Sequence, residues 1–314
     1  MSKTSIKLIR HALNGPTMGT RWSALFFAPA HYDPMPLHTA LQRAVDEVDA
    51  QMSIWQADSE LMKLNRHPIK TSIRISTDME RVLNLALTSG RASGGAFDIG
   101  VGDAVQAWGF GPQTVDEQNI RHAMASDRKP AFHALELNGH CVYKHNAITL
   151  NFNGIAKGFG VDRLAETLLD FGIEAGLVGI DGELRALGTC PDGEAWAVAI
   201  EAPFKGRRKP HSIVLLQDAA IATSGDYRHW INVQGRHLSH TIDPERGRPV
   251  ISSPASVTVV APACALADAW ATALMVIGPD KAGIIVQRYG LSALFLMRND
   301  GGELQSRGYG ALFS

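Results

Sequence analysis

A strand runs into an apolar helix in SVTVVAPACALADAWATALMVIG, residues 256–278. Ser256 to Ala261 is rich in β-branched residues and reads as a buried strand. Pro262 is well placed to start the helix that follows. Asp268 is the only formally charged residue of that helix. A lone carboxylate in an apolar helix must find a cation, find hydrogen-bond donors, or take up a proton. Thr272 lies four residues on and so shares its face. A carboxylate and a hydroxyl on adjacent turns are hard oxygen ligands of the kind Mg²⁺ accepts, with positions left for phosphate and water. The alternative is a buried Asp bonded to an Arg or to backbone amides.

Outward from this stretch, helical and strand signals alternate with no repeat and no low-complexity linker. Leu41, Val45, Val48 and Met52 place a helix over His38–Trp55, and Met79, Val82, Leu83 and Ala86 another over Asp78–Ser89. Leu164, Leu168 and Leu169 mark a third over Gly160–Phe171, with Gly172 suited to its end. Trp22–Phe27 and Ala293–Met297 read as strands. Ala195–Glu201 and Ser212–Gln217 read as a hairpin whose basic tip, KGRRKP (205–210), is a solvated loop rather than a phosphate site. Asn299-Asp300-Gly301-Gly302 is a turn before the last strand. The mixture predicts an α+β fold with mixed or antiparallel sheets and no doubly wound order.

The chain has 314 residues, 45% of them apolar and 19% charged, enough for a sizeable core. Its net charge of −1 provides no global field toward nucleic acid or an anionic membrane. Any anionic ligand must be handled by local groups. Cys141, Cys190 and Cys264 are odd in number and far apart, so no disulfide framework or metal spacing is expected. No signal-peptide core and no bilayer-length apolar run is evident, so a cytoplasmic location is expected, or a periplasmic one if a targeting segment was removed. No GxxxxGK[ST] is present, and GFGPQT at Gly109 is not a dinucleotide fingerprint.

Three further segments carry chemistry. In LNFNGIAKGFGVDRLAETL (150–168), glycines allow close backbone approach, while Lys157 and a helix N-terminus favour an anion. The segment at 220–250 is dense in reactive types: Thr223, Ser224, Asp226, Tyr227, Arg228, His240 and Asp243. His240 precedes a turn at Asp243-Pro244 and is suited to proton transfer, although a lone His is more often structural. Ser224 lacks the GxSxG elbow of a hydrolase. In SGGAFDIGVGDAVQAWGFG (93–111), Phe97 and Trp108 either stack on a flat ring or fill a core, and the core is the better reading for each.

In their order along the chain, MGTRWSA from Met18, MSIWQADSELMKLN to Asn65, SGGAFD, NGIAKGFGVD, TSGDYRHW, SHTIDPERGRPV and ADAWATALMVIG resemble the ApbE family of FAD:protein FMN transferases over roughly residues 16–310. The resemblance implies a single ApbE-like, T-fold-like domain over residues 1–314, with a short, poorly structured N-terminus (1–15) and an active-site cleft between sub-lobes. It implies Mg²⁺ as cofactor and FAD as substrate, with FMN passed to a Thr or Ser hydroxyl of an acceptor flavoprotein and AMP released. It places Asp268, Thr272 and the Gly154 carbonyl at the metal, and Met18, Trp55, Ala96, Phe97, Asp98, Asn151, Lys157 and Thr241 at FAD. Asn65 falls at a flavin-site position that influences transfer against hydrolysis, and His240 at the residue thought to assist proton transfer. The chain departs from the family pattern at Asn151, Asn153, Asp181-Gly182-Glu183 and Ala271, where acids or glycine are common. Two other activities fit the same motifs: an FAD pyrophosphatase giving FMN and AMP, and a catalytically decayed FAD-binding protein.

Overall fold

The computed structural model describes residues 7–112, 114–204, 206, 208–227, 230–233, 236–251, 254–299, 301 and 303–314. Its centre is an eight-stranded sheet in which spatial order follows chain order. From one edge the strands are Leu8–Thr17, Thr20–Pro29, Gly176–Ile180, Glu183–Leu187, Ala220–Gly225, Ser256–Ala261, Ser292–Arg298 and Leu304–Tyr309. Every pairing is antiparallel, so of the expected mixed or antiparallel sheets the antiparallel kind is found among the described residues.

Ser256–Ala261 is buried along its whole length because both faces of the sheet are covered there. Val257, Val259 and Ala261 join the cluster that holds Ala267, Trp270 and Leu274 of the Cys264–Ile277 helix. Val260 points the other way, to Trp196, Val198 and Val214 of the hairpin formed by Trp196–Glu201 and Pro210–Leu216. The period of two along one strand thus supplies two cores.

The expected helices lie at Met35–Met52, Thr77–Ala92 and Ala156–Asp170. The third starts four residues before its predicted position, because glycines that break the apolar pattern are needed for packing. A Cβ at Gly158 would stand 2.5 Å from the Cys264 carbonyl oxygen and 2.7 Å from the Ala265 Cα. Only glycine lets these two helices touch backbone to backbone. Gly158→Ala is expected to cost about 1–3 kcal/mol in urea unfolding, because rigid backbone on the facing helix must give way. A wild-type unfolding midpoint would contradict that packing.

Close approach allows each helix to cap the other. The Cys264–Ile277 helix has no side-chain cap of its own at Ala263. Instead, Asp162 accepts hydrogen bonds from the Cys264 and Ala265 amides, both at 2.9 Å. In return, Asp268 accepts from the Gly158 amide at 3.1 Å, at the first turn of the Ala156–Asp170 helix. Each buried carboxylate meets the positive end of the neighbouring helix. Pro262 lies outside the helix it was expected to begin, since Asp162 fixes the start at Cys264.

The N-terminal expectation needs correction. Residues 8–15 are not poorly structured: Leu8–Thr17 pairs with Thr20–Pro29 over its full length. Met18 and Gly19 close the hairpin with φ of 46° and 71°, the geometry of a two-residue turn matched to strand twist. Most of this edge strand is exposed, so it lacks the apolar alternation that reveals a strand. Residues 1–6 lie outside the described residues. So do Asp300 and Gly302 of the expected turn, although the flanking strands pair through Arg298 and Leu304. Within the KGRRKP tip, Lys205 and Arg207 are likewise outside, and Arg208 and Lys209 are exposed.

Candidate functional site

A cavity of about 1300 Å³ lies where strand ends, helix starts and loops of the centre converge. It is larger than the roughly 300–1,000 Å³ common for drug-sized ligands. Met18, Trp55, Ala96, Phe97, Asp98, Asn151, Gly154, Lys157, His240, Thr241, Asp268 and Thr272 all line it. The chain contributes them from widely separated segments: the first hairpin turn, the loop after Met35–Met52, the SGGAFD turn, the start of the Ala156–Asp170 helix, the SHTIDP loop and the Cys264–Ile277 helix.

The floor is built around Asp268. Its carboxyl is pushed up to about 7, chiefly by burial and then by the neighbouring Glu183, with Lys157 and the Gly158 amide pulling the other way. Thr272 stands one turn on, its hydroxyl 3.2 Å from that of Ser224 on the strand Ala220–Gly225. Gly154 brings backbone against this pair, for a Cβ there would lie 2.9 Å from the Thr272 hydroxyl oxygen. Ser224 therefore belongs to the oxygen cluster at Thr272.

Lys157 sits above this floor with its ammonium 2.7 Å from the Glu183 carboxylate and 4.0 Å from that of Asp181. Burial lowers its pKa, but Glu183, then Asp268 and Asp181, raise it by more, so the net shift is upward. The expected phosphate lysine is thus already paired, and one ammonium faces three carboxylates. One Glu183 oxygen, Oε2, is buried without a hydrogen-bond partner, as is the Asn151 side-chain nitrogen.

Among the described residues no group of three or more His, Cys, Asp or Glu is arranged to hold a metal. Mg²⁺ needs no such group: it binds through one or two carboxylates and keeps waters and phosphate oxygens. The Asp268 carboxylate, the Thr272 hydroxyl and the close Gly154 backbone supply hard oxygens, and the excess of buried negative charge favours a dication. The residues fit the ion.

Other expected positions divide between lining the cavity and building its walls. Trp55 is 67% exposed at the rim and presents a free ring. Phe97 lines the cavity yet is almost wholly buried, and so also fills the core. Trp108 is a core residue, with its indole nitrogen donating to the Gly247 carbonyl at 2.9 Å and anchoring the SHTIDP turn. Asp98 accepts from the Gly100 and Ala131 amides, at 2.8 and 3.0 Å. Burial raises its pKa, and those two amides only partly offset this. Asn151 accepts from the Asn153 amide at 2.8 Å, which shapes the loop before Lys157. His240 is half-buried, with Phe110 edge-on at 6.3 Å between ring centroids. Asp243 caps its own turn through the Glu245 and Arg246 amides. Asp226 forms an ion pair with Arg298 at 2.9 Å. Arg228 lies outside the described residues.

Asn65 is the exception. Its side chain is not part of the cavity lining and instead clips the Leu150 backbone, accepting from its amide at 2.7 Å and donating to its carbonyl at 3.0 Å. The clip fixes the backbone beside Asn151, which lines the cavity. Asn65→Ala is expected to leave both Leu150 groups without partners and to destabilise the fold by about 1–3 kcal/mol, read by urea unfolding. Sequence reasoning gave no role to two residues: Asp162, which caps the metal-candidate helix, and Glu183, noted there only as a departure from the family pattern, which holds Lys157. The one available signal was the presence of acids in the otherwise apolar stretches GFGVD and GIDGEL.

The sequence model of the ApbE family matches residues 18–295. An FAD:protein FMN transferase from Vibrio cholerae serotype O1 is 36% identical over 92% of this chain and 88% of its own length. One from Escherichia coli K12 is 33% identical over 94% and 86%. Among solved structures, the flavin transferase ApbE from Vibrio cholerae superposes with a TM-score of 0.84 at 33% identity, covering 96% of this chain and 98% of that one. The apo flavinyl transferase ApbE of Pseudomonas stutzeri gives a TM-score of 0.84 at 31% identity, covering 96% and 95%.

Proposed function

The chain belongs to the ApbE family, and from that premise we propose that its cavity transfers FMN from FAD to a Thr or Ser hydroxyl of an acceptor protein in a Mg²⁺-dependent reaction. The observation that carries this reading is the oxygen cluster of buried Asp268 with half-buried Thr272 and Ser224, beneath a dinucleotide-sized cavity. Asp268, Thr272 and the Gly154 carbonyl would hold Mg²⁺. Bound there, the ion supplies positive charge to the diphosphate of FAD.

The protein's own residues do the rest. Trp55 and Met18 present apolar surface to the flavin ring system. Lys157, paired with Glu183, fixes one positive charge on the cavity floor, where it partly offsets the carboxylates around it. The acceptor oxygen forms a new bond to the FMN-side phosphorus, and the bridging P–O bond to the AMP half breaks. AMP leaves with the bonding electrons, and the hydroxyl proton passes to a ring nitrogen of His240. A family assignment, an enzyme of FMN transfer and FAD as substrate agree with the names of the relatives; Mg²⁺ draws support from the site chemistry, and the Thr or Ser acceptor from the resemblance of the motifs.

Incubation with FAD, Mg²⁺ and the protein fraction of the source cell tests the reading. Mass spectrometry is expected to find an FMN-sized adduct on a Thr or Ser. FAD consumption that leaves only free FMN and AMP would show a pyrophosphatase instead. His240→Ala is expected to keep FAD affinity within about twofold and to slow transfer by about 10²–10⁴-fold. Transfer at the wild-type rate would remove His240 from the reaction.

A further inference from the structure

The hairpin Trp196–Glu201/Pro210–Leu216 has two different faces. Trp196, Val198, Ile200, Val214 and Leu216 turn inward to the sheet. Ala197, Ala199, Ile213 and Leu215 turn outward, with Ala197 opposite Leu215 and Ala199 opposite Ile213 in register. Ile213 is 70% exposed and Leu215 58%. Four apolar side chains therefore form one contiguous outward patch, where the solvated face of such a ribbon is ordinarily polar. No other strand pairs with this ribbon among the described residues.

Two observations say what covers it. First, the patch continues into the reaction cavity: Ala199 belongs to both, and Val198, Ile200, Glu201 and Arg208 of the same hairpin line the cavity wall. A macromolecule that delivers a hydroxyl into the cavity must lie across its rim. Second, residues 202–216 contain no Asp or Glu, and Arg208 and Lys209 are exposed beside the patch. This end of the hairpin is basic and complements an acidic partner.

We propose that the outward face of this hairpin docks the acceptor protein, through an extended segment with apolar side chains and an acidic flank beside its flavin-accepting hydroxyl. The proposal rests on the transferase reading above and names the partner surface of the same site. Ile213 and Leu215 do not line the cavity, so their replacement separates acceptor docking from FAD binding.

The test compares wild type, the double variant I213K/L215K and I284K, which alters an equally exposed residue (73%) on the Pro279–Arg288 helix. Each is incubated with FAD, Mg²⁺ and the protein fraction of the source cell. In-gel flavin fluorescence reports protein-bound FMN, and quenching of free FAD fluorescence reports FAD affinity. I213K/L215K is expected to lose at least tenfold in FMN-protein formation with FAD affinity within twofold, while I284K matches wild type. K209E is expected to slow transfer and to flatten its salt dependence. Wild-type transfer by I213K/L215K, or equal loss in I284K, overturns the docking surface. If the wild type itself binds FAD and forms no FMN-protein, the transferase reading fails, and the docking proposal falls with it.

Discussion

Asp268→Ala is expected to abolish FAD turnover, by about a thousandfold or more, in a protein that remains folded. The two halves of this expectation have separate causes. Asp268 is the carboxylate at the base of the oxygen cluster with Thr272 and Ser224, and neither hydroxyl replaces its charge. Loss of several kcal/mol of charge stabilisation on the reacting phosphates corresponds to such a factor. The fold survives because burial already works against this carboxylate, pushing its pKa to about 7, and among the described residues its one hydrogen-bond partner is the Gly158 amide. Circular dichroism and FAD-to-AMP conversion, measured together, check the prediction. Full Mg²⁺-dependent activity in the variant would sink the assignment.

Asp162→Ala is expected to do the opposite and unfold the protein more easily, by about 3–5 kcal/mol in urea. Asp162 accepts from the Cys264 and Ala265 amides and pairs with Arg185 at 2.7 Å. Its removal strands two helix-terminal amides and one half-buried guanidinium together. Burial raises its pKa, with Ala265, Arg185 and Cys264 pulling it back, so the charge is held only by these partners. Because the same two helices carry Lys157 and Asp268, FAD turnover should fall as well, at temperatures where the variant is still folded. An unchanged urea midpoint would show that the reciprocal capping is dispensable.

The contrast between these two aspartates marks what the sequence could reveal. Asp268 stands alone in a long apolar helix, and an acid in that setting demands a partner or a proton on grounds of solvation alone. Asp162 is followed by an arginine in an amphipathic helix and looks like a surface residue. Its partners, the Cys264 and Ala265 amides, are a hundred residues away in the chain, and only folding brings them close. Glu183 was legible as a departure from the family pattern but not in its role, for the same reason: its meaning comes from Lys157, across the interface of helix and sheet. The buried strands Ser256–Ala261 and Ser292–Arg298 were visible because both are covered on two faces and so are apolar throughout most of their length. Leu8–Thr17 was invisible because an exposed edge strand needs no pattern, only a partner strand to pair with. Asn65 was placed at the flavin by resemblance, whereas its amide is spent on the Leu150 backbone.

The charge balance of the site also differs from what the sequence suggests. Lys157 and a glycine-rich turn point to a positive cradle for phosphate. The folded chain instead gives the Gly158 amide to Asp268 and the Lys157 ammonium to Glu183. With Lys157 already paired, the floor has negative charge to spare, and added positive charge there would favour a diphosphate. That is the physical content of the proposed metal dependence.

The most direct test measures protein-bound FMN against Mg²⁺ concentration, for the wild type and Asp268→Asn in parallel, with FAD and the acceptor fraction held constant. The account predicts saturable Mg²⁺ dependence in the wild type, abolition by EDTA, and no saturable response in the variant. Transfer that persists in EDTA, or an unchanged Mg²⁺ response in Asp268→Asn, would contradict it.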